Sequence, residues 1–388
     1  SQTTGGRIVN AYMENLSSTA GQKYAYWRAP GLTLFKAITG ANFRGALLVG
    51  SLLYVVVDDK AYSVTSGGTV TQMTGTVSGT AGVFMSRNNA ATPDIVIVSP
   101  GDGAMVIAAG AVSSYPDADV GQPNSVVFHK GFFVFTYGDG KTRTSGINST
   151  SVATTDVATA ESKPDSLLRA IPLGNGQILL CGDASIEVWD GEYDTAYPFS
   201  YIATIPRGII GAYAIAGHED GFGKGVFFVG DDFGVHTLNG YQTVKISSPD
   251  VDRAISEETD KSLIRVSVFI AAGRSFVAVQ GANWCWVYDV GEQTWHERES
   301  YLVKYWRACF PVKAFDKWLC GDLKTGDLLE ISMDEQSEVG DPLRMRIETG
   351  PAGAFPRAVR INSVELYLTK GGGNAEGVDP VETDPDVE

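Results

Sequence analysis

The sequence predicts an all-β protein: a β-propeller of six or seven four-stranded blades, with an N-terminal arm and a short C-terminal β region. Three observations carry this expectation. Glycine supplies 45 of 388 residues, about 12% where roughly 7% is usual, and only 19% of residues are charged where about 25% is typical, a turn-dense composition. Apolar residues at helical spacing are scarce, and the chain is instead filled by β-rich runs of four to seven residues punctuated by Gly, Asp, Asn and Pro. Clusters of such runs begin near Phe43, Ala81, Asn124, Leu167, Gly208, Ile264 and Val303, spaced by about 40 residues with one stretched interval, which is the period of a four-stranded blade.

The elements follow in chain order. An arm over residues 1–41 carries Asn10, Asn15, Tyr24, Tyr26, Trp27 and Arg28, and it has two readings. It either orders on a neighbouring subunit, as its interface-type side chains suggest, or closes the last blade as an extra strand. The propeller is expected over 42–340, with strands at 46–49, 52–57, 61–64, 95–98, 125–128 and 132–136; runs this close together must pair as antiparallel hairpins. A strand, a Gly-Asp turn and a second strand recur at Gly182-Asp183, Gly230-Asp231 and Gly321-Asp322. One helix is predicted over 250–263, capped by Asp250. A C-terminal β segment is placed at 341–370, with alternating runs at 344–348 and 359–368, and a glycine-rich, acidic tail at 371–388. A β-sandwich followed by a small second domain is the competing architecture, since it shares short strands and regular turns. The propeller has the stronger logic, because a ring of sheets buries every blade face against a neighbour.

Composition also excludes function classes. With 45 acidic against 30 basic side chains, the net charge is −15, the opposite of a nucleic-acid binder's surface. The chain is too apolar for a disordered tail and long enough to bury a core without disulfides or metal. No apolar run approaches the roughly 18 residues of a membrane span. Neither a signal peptide nor an initiating methionine opens the chain, so a soluble protein from a reducing compartment is expected. Cys181, Cys285, Cys309 and Cys320 form no CxxC pair and read as buried free thiols.

Chemical motifs fail at specific positions. Gly140-Lys141-Thr142 ends like a phosphate loop, but Phe135 stands where the first glycine belongs, so a hairpin turn is expected. The 221–225 stretch, Gly-Phe-Gly-Lys-Gly, has no helix after it to bind phosphate. His218-Glu219 lacks the second imidazole of a zinc site, with Phe at 222, and His129, His236 and His296 fall in different blades. Asp58-Asp59, Asp231-Asp232 and Asp250 with Asp252 lack calcium-loop spacing and suit turns. There is no GxSxG elbow. Asp289 to Trp295 resembles the Asp-box turn of sialidase-like propellers, which is structural. Trp284, Trp286, Trp295, Trp306 and Trp318 concentrate in the last two blades as core residues, and Trp189-Asp190 is too short a match to mark a WD repeat. No catalytic, cofactor-binding or metal-binding residue is therefore assigned, and no enzyme is expected.

Ordered motifs along the chain carry a family resemblance. They are Val9-Asn10-Ala11-Tyr12-Met13-Glu14-Asn15, Arg28-Ala29-Pro30-Gly31-Leu32, Ser185-Ile186-Glu187-Val188-Trp189, Arg207-Gly208-Ile209-Ile210, Phe227-Phe228-Val229-Gly230-Asp231-Asp232, Trp286-Val287-Tyr288-Asp289, Cys320-Gly321-Asp322-Leu323-Lys324-Thr325-Gly326 and Gly340-Asp341-Pro342-Leu343-Arg344. In this order the chain resembles the packaged-DNA stabilisation proteins of short-tailed bacteriophages, also called tail hub or nozzle proteins. The resemblance implies a virion protein made in the bacterial host cytoplasm and assembled as a homohexamer in the tail. It also implies contacts with portal and head-to-tail adaptor proteins and with tail fibre, tailspike or needle proteins. Packaged DNA would pass through without specific binding and be retained until ejection, and an acidic wall suits that, since it repels phosphate. The competing function is a propeller that binds or cleaves glycans, which would expose a central pocket of clustered acids and aromatics.

Overall fold

The structure is a computed structural model that describes residues 6–16, 24–160, 163, 165–191 and 197–348. Seven antiparallel sheets of four or more strands follow one another along the chain, at residues 43–72, 84–114, 125–159, 167–205, 215–245, 265–297 and 308–332, and they form the seven blades of a propeller. First strands of neighbouring blades touch around the ring, with blades four and five joined by Arg169 donating to the Ile215 carbonyl, so these strands surround the axis. The expected strands are present with small extensions: 52–57 and 132–136 unchanged, 46–49 lengthened to Phe43–Val49, and 95–98 to Ile95–Ser99. The sequence left six or seven blades open; the structure has seven. The stretched interval between the fifth and sixth blades holds the helix.

The strands follow from the packing. In Leu52–Val57, Leu53, Val55 and Val57 face the seventh blade with Phe43 and Leu319, while Val56 faces the second blade with Ile95 and Ile97. In the second blade Ile95 and Ile97 face back to the first, and Val96 and Val98 face forward to Phe133 and Phe135 of the third. Both faces are buried, so these strands read as continuous apolar runs rather than alternating ones. Trp306 and Trp318 lie inside the largest core cluster, and Trp284, Trp286 and Trp295 pack against it. All four cysteines are buried and free.

The N-terminal segment supplies β1 (Arg7–Val9), β2 (Ala11–Asn15), β3 (Tyr24–Arg28) and β4 (Gly31–Lys36). Of the two readings of the arm, the described residues adopt blade closure: β4 pairs antiparallel with Leu328–Ser332, bringing Leu32 opposite Ile331, and becomes the fourth strand of the seventh blade. Gly31 is required there, because a Cβ would lie 2.5 Å from the Glu335 and Ser337 carbonyl oxygens. β1 extends the sixth blade, parallel to its outer strand Thr294–Glu297 and antiparallel to Arg346–Glu348. β2 and β3 form a ribbon of their own. The alternating run at 344–348 is thus partly realised as strand, whereas 359–368 and the tail at 371–388 lie outside the described residues.

The helix expectation needs correction. Helix α1 spans Pro249–Glu257, with Ser248 as N-cap and Pro249 in the first turn, so Asp250 is inside the helix and does not cap it. Proline's fixed φ suits a first helical position, which moves the start one residue earlier. The backbone turns extended at Glu258, and Lys261–Leu263 forms a separate 3-10 turn capped by Asp260. Val251 and Ile255 bury into the largest core cluster.

Candidate functional site at the propeller axis

The axis is where a propeller presents a ligand pocket or an open channel. Here side chains from distant blades meet across it. Phe84 of the second blade stacks on Tyr213 at the start of the fifth, centroids 5.3 Å apart, and Tyr213 meets Phe310 of the seventh edge-on at 6.0 Å. The Tyr213 hydroxyl donates to the Gly82 carbonyl at 2.7 Å. A Cβ on Gly82 would lie 2.7 Å from the Phe310 ring, so glycine is what lets these rings close. Arg169 of the fourth blade places its guanidinium 4.6 Å from the Phe84 centroid, and Arg265 of the sixth lies 5.4 Å from Phe310. Side chains from blades two, four, five and seven touch one another only if the channel is filled at this level.

The electrostatics suit a seal. Arg169 donates to the Ala212 and Ile215 carbonyls, at 3.3 and 3.0 Å, and desolvation holds its guanidinium below the usual range, with Glu219 opposing. Burial pushes the Tyr213 phenol up to about 12, against the pull of Arg265, Arg169 and Arg44. The converging groups are two arginines, a tyrosine and two phenylalanines. Glu219 stands beside His218 and within electrostatic reach of Arg169.

The motifs weighed in the sequence are placed as follows. Gly140 is in a hairpin turn, its amide donating to the Tyr137 carbonyl, between Phe132–Thr136 and Lys141–Thr144. The 221–225 stretch is a loop with Phe222 buried. His218 sits 3.8 Å from Glu219 and 3.5 Å from Arg169, near the axis, and burial lowers its pKa. His129, His236 and His296 are in the third, fifth and sixth blades and do not converge. The paired acids serve turns and ion pairs: Asp58 accepts from the amides of Ala41 and Asn42, Asp59 pairs with Lys60, Asp231 with Arg207, Asp232 with His236, and Asp252 with Lys245 and Ser247. Asp289 is fully buried, accepts from the amides of Gly291 and Glu292, and pairs with Arg274, the geometry of a structural turn. Among the described residues no group of three or more His, Cys, Asp or Glu is placed to hold a metal. Burial raises the thiols of Cys181, Cys285 and Cys309 to about 12, so they are not nucleophilic near neutrality.

Sequence reasoning missed the axial cluster. Its only sequence signal is position in or just before the first strand of a blade, and nothing there announces which five side chains will meet.

The residues that carry the family resemblance hold joints between distant parts of the chain. Asn10 donates to the Arg344 carbonyl at 2.8 Å, and Arg207 pairs with Asp231 at 2.8 Å. Arg307 grips both oxygens of Asp322, at 3.1 and 2.5 Å, and reaches Asp341 at 3.1 Å. Gly321 has no room for a Cβ, which would lie 2.1 Å from the Phe43 ring. A model of the family described as "Bacteriophage P22 Gp10, beta-propeller" matches residues 8–335, nearly the whole described chain. The chain belongs to this family. As a member of this family it is a phage structural protein of the virion, and among its described residues no helix is long and apolar enough to cross a membrane. No curated protein matches it in sequence. Solved structures to which it is similar include PorZ of Porphyromonas gingivalis, described as a bacterial surface component of the type-IX secretion system, at 12% identity and TM-score 0.46; the match covers 83% of this chain and 40% of that one. The WD40 propeller domain of Doa1 matches at 11% identity and TM-score 0.49, covering 78% and 96%, and the WD40 repeats of RRP9 at 10% and 0.48, covering 78% and 98%.

Proposed function

We propose that this chain is a non-enzymatic tail hub or nozzle subunit, which extends the DNA channel below the portal and adaptor and retains the packaged genome until ejection. The observation that carries the reading is family membership over residues 8–335. The filled axis supports it in a specific way. Rings 5–6 Å apart leave no passage for a duplex whose major groove alone is about 12 Å wide, so the propeller acts as a solid wall and the channel runs between copies. The net charge of −15 suits a wall along which phosphate slides without being held. The assembled form is a homohexamer, bounded by adaptor and portal proteins on one side and by tail fibre, tailspike or needle proteins on the other. The subunit is made in the host cytoplasm before it joins the particle.

The test is genome retention. Particles assembled with and without the protein are followed for nuclease-accessible DNA over time. DNA leaks from particles lacking it, and adding the purified protein back stops the leak. Full retention without it, or its absence from the particle, would sink the reading.

A further inference from the structure

Buried polar atoms without a partner are few in a folded protein, and each calls for an explanation. Among the described residues, five of the eleven such atoms gather at one joint. Arg298 Nε and Nη1, Trp306 Nε1 and His296 Nδ1 have no hydrogen-bond partner, nor has Oε2 of Glu338, the carboxylate whose other oxygen accepts from Arg298 Nη2 at 2.9 Å. All four residues are at most 3% exposed. A buried polar group left unmatched costs about 1–3 kcal/mol, and more when charged, so several around one spot call for a ligand that meets them.

That spot is a cavity. Arg298, Trp306 and His296 line a space of about 10 Å³. Ala29 and Pro30, where the N-terminal segment passes from blade six to blade seven, and Phe269 and Phe276 of blade six also contribute to its wall. The wall is tightly built. The Phe269 ring lies 5.3 Å from Phe276 and 5.2 Å from Trp306, centroid to centroid. The Arg298 guanidinium stands 5.2 Å from the Trp306 centroid, and its Nη2 donates to the Pro30 carbonyl at 2.5 Å. A cavity of this size has room for one water.

We propose that this cavity is a binding site for a single water molecule, which accepts from Arg298 and Trp306 and donates to His296 Nδ1. The inventory of donors and acceptors selects this ligand. A buried water needs two to four polar partners, and the site offers N–H donors on guanidinium and indole together with an imidazole nitrogen that accepts when the ring is neutral. Burial lowers the His296 pKa to about 3, so the ring is neutral near pH 7. Accepting at Nδ1 places the ring hydrogen on Nε2. A halide is the competing ligand, since it would also accept from guanidinium and indole. Charge decides against it. Arg298 is countered by Glu338, and Arg28, the other cation that acts on it, is countered by Glu335. An added anion would therefore be an unbalanced buried charge, whereas water is neutral. The N-terminal segment, blade six and the connection to blade seven share the wall, so the water seals the joint through which that segment reaches blade seven.

The test is a crystal structure of the full chain at a resolution that shows ordered water, a second crystal soaked in bromide, and nitrogen NMR of the histidine rings in solution. Three results are expected. A peak stands in the cavity within about 3.2 Å of nitrogens of Arg298 and Trp306 and of His296 Nδ1. Bromide gives no anomalous signal there. The His296 ring, identified by the signals lost in His296→Phe, carries its hydrogen on Nε2. A cavity without a peak, or the hydrogen on Nδ1, would overturn the water site. A bromide signal in the cavity would overturn it as well and make the site one for a halide.

Discussion

Arg44 is fully buried and donates to the Ala81, Asp58, Val77 and Ser78 carbonyls and the Ser99 hydroxyl, with no carboxylate in the shell. Desolvation lowers its pKa, so its worth lies in satisfying the 77–81 loop rather than in charge pairing. Arg44→Met, which strands those acceptors, is expected to cost about 3 kcal/mol or more, read as a fall in the denaturation midpoint, and Arg44→Lys recovers only part because an ammonium cannot reproduce the fork. His296 is buried against Phe276, and desolvation, aided by Arg298, pushes its pKa down to about 3. Its folded pKa lies below the unfolded value of about 6.5, so its neutral form stabilises the fold above that pH, and the contribution is lost as pH falls from about 6.5 toward 3. His296→Phe should flatten the decline of melting temperature in that window; an unchanged slope would exclude this residue as a source. Residue-scale legibility was uneven. The Gly-Asp turns and the Asp289 turn were readable because Gly and Asp have local reasons to be there. Arg44 and the axial Phe84, Tyr213 and Phe310 were not, because their partners are set by convergence of separate blades.

At the scale of elements, closure of the seventh blade by β4 joins residues about 300 positions apart, with Leu32 fully buried opposite Ile331. Leu32→Ala is expected to cost about 2–5 kcal/mol by guanidinium unfolding, the range for a buried leucine. A cost below 1 kcal/mol would mean that the closing strand carries little of the stability. Hairpins were legible since neighbouring apolar runs have one economical way to pair. For the arm the sequence left two destinations open, a neighbouring subunit or closure of the last blade, because a run such as Leu32-Thr33-Leu34-Phe35 pairs as well with either; the structure has the second. The helix was placed and mis-bounded, since Pro249 and Ser248 outcompete Asp250 for the start.

At the scale of the molecule, seven wedge-shaped sheets, a filled axis and a net negative surface make a rigid block that blocks its own channel and repels phosphate. The repeat period announced the ring; the stretched interval before blade six blurred its count, because helix α1 occupies it. Removing part of the axial seal, as in Tyr213→Ala, should lower stability by about 3–5 kcal/mol without creating a DNA path, since the inner strands of the other six blades still crowd the axis. Gel-shift binding of duplex DNA by that variant would show otherwise. The measurement that reaches furthest is a cryo-EM reconstruction of the tail in particles loaded with DNA. A tail-tube role predicts a six-fold ring of these propellers below the portal and adaptor, with duplex density on the ring axis between copies. Duplex density threading a propeller, or no propeller ring in the tail, would contradict it.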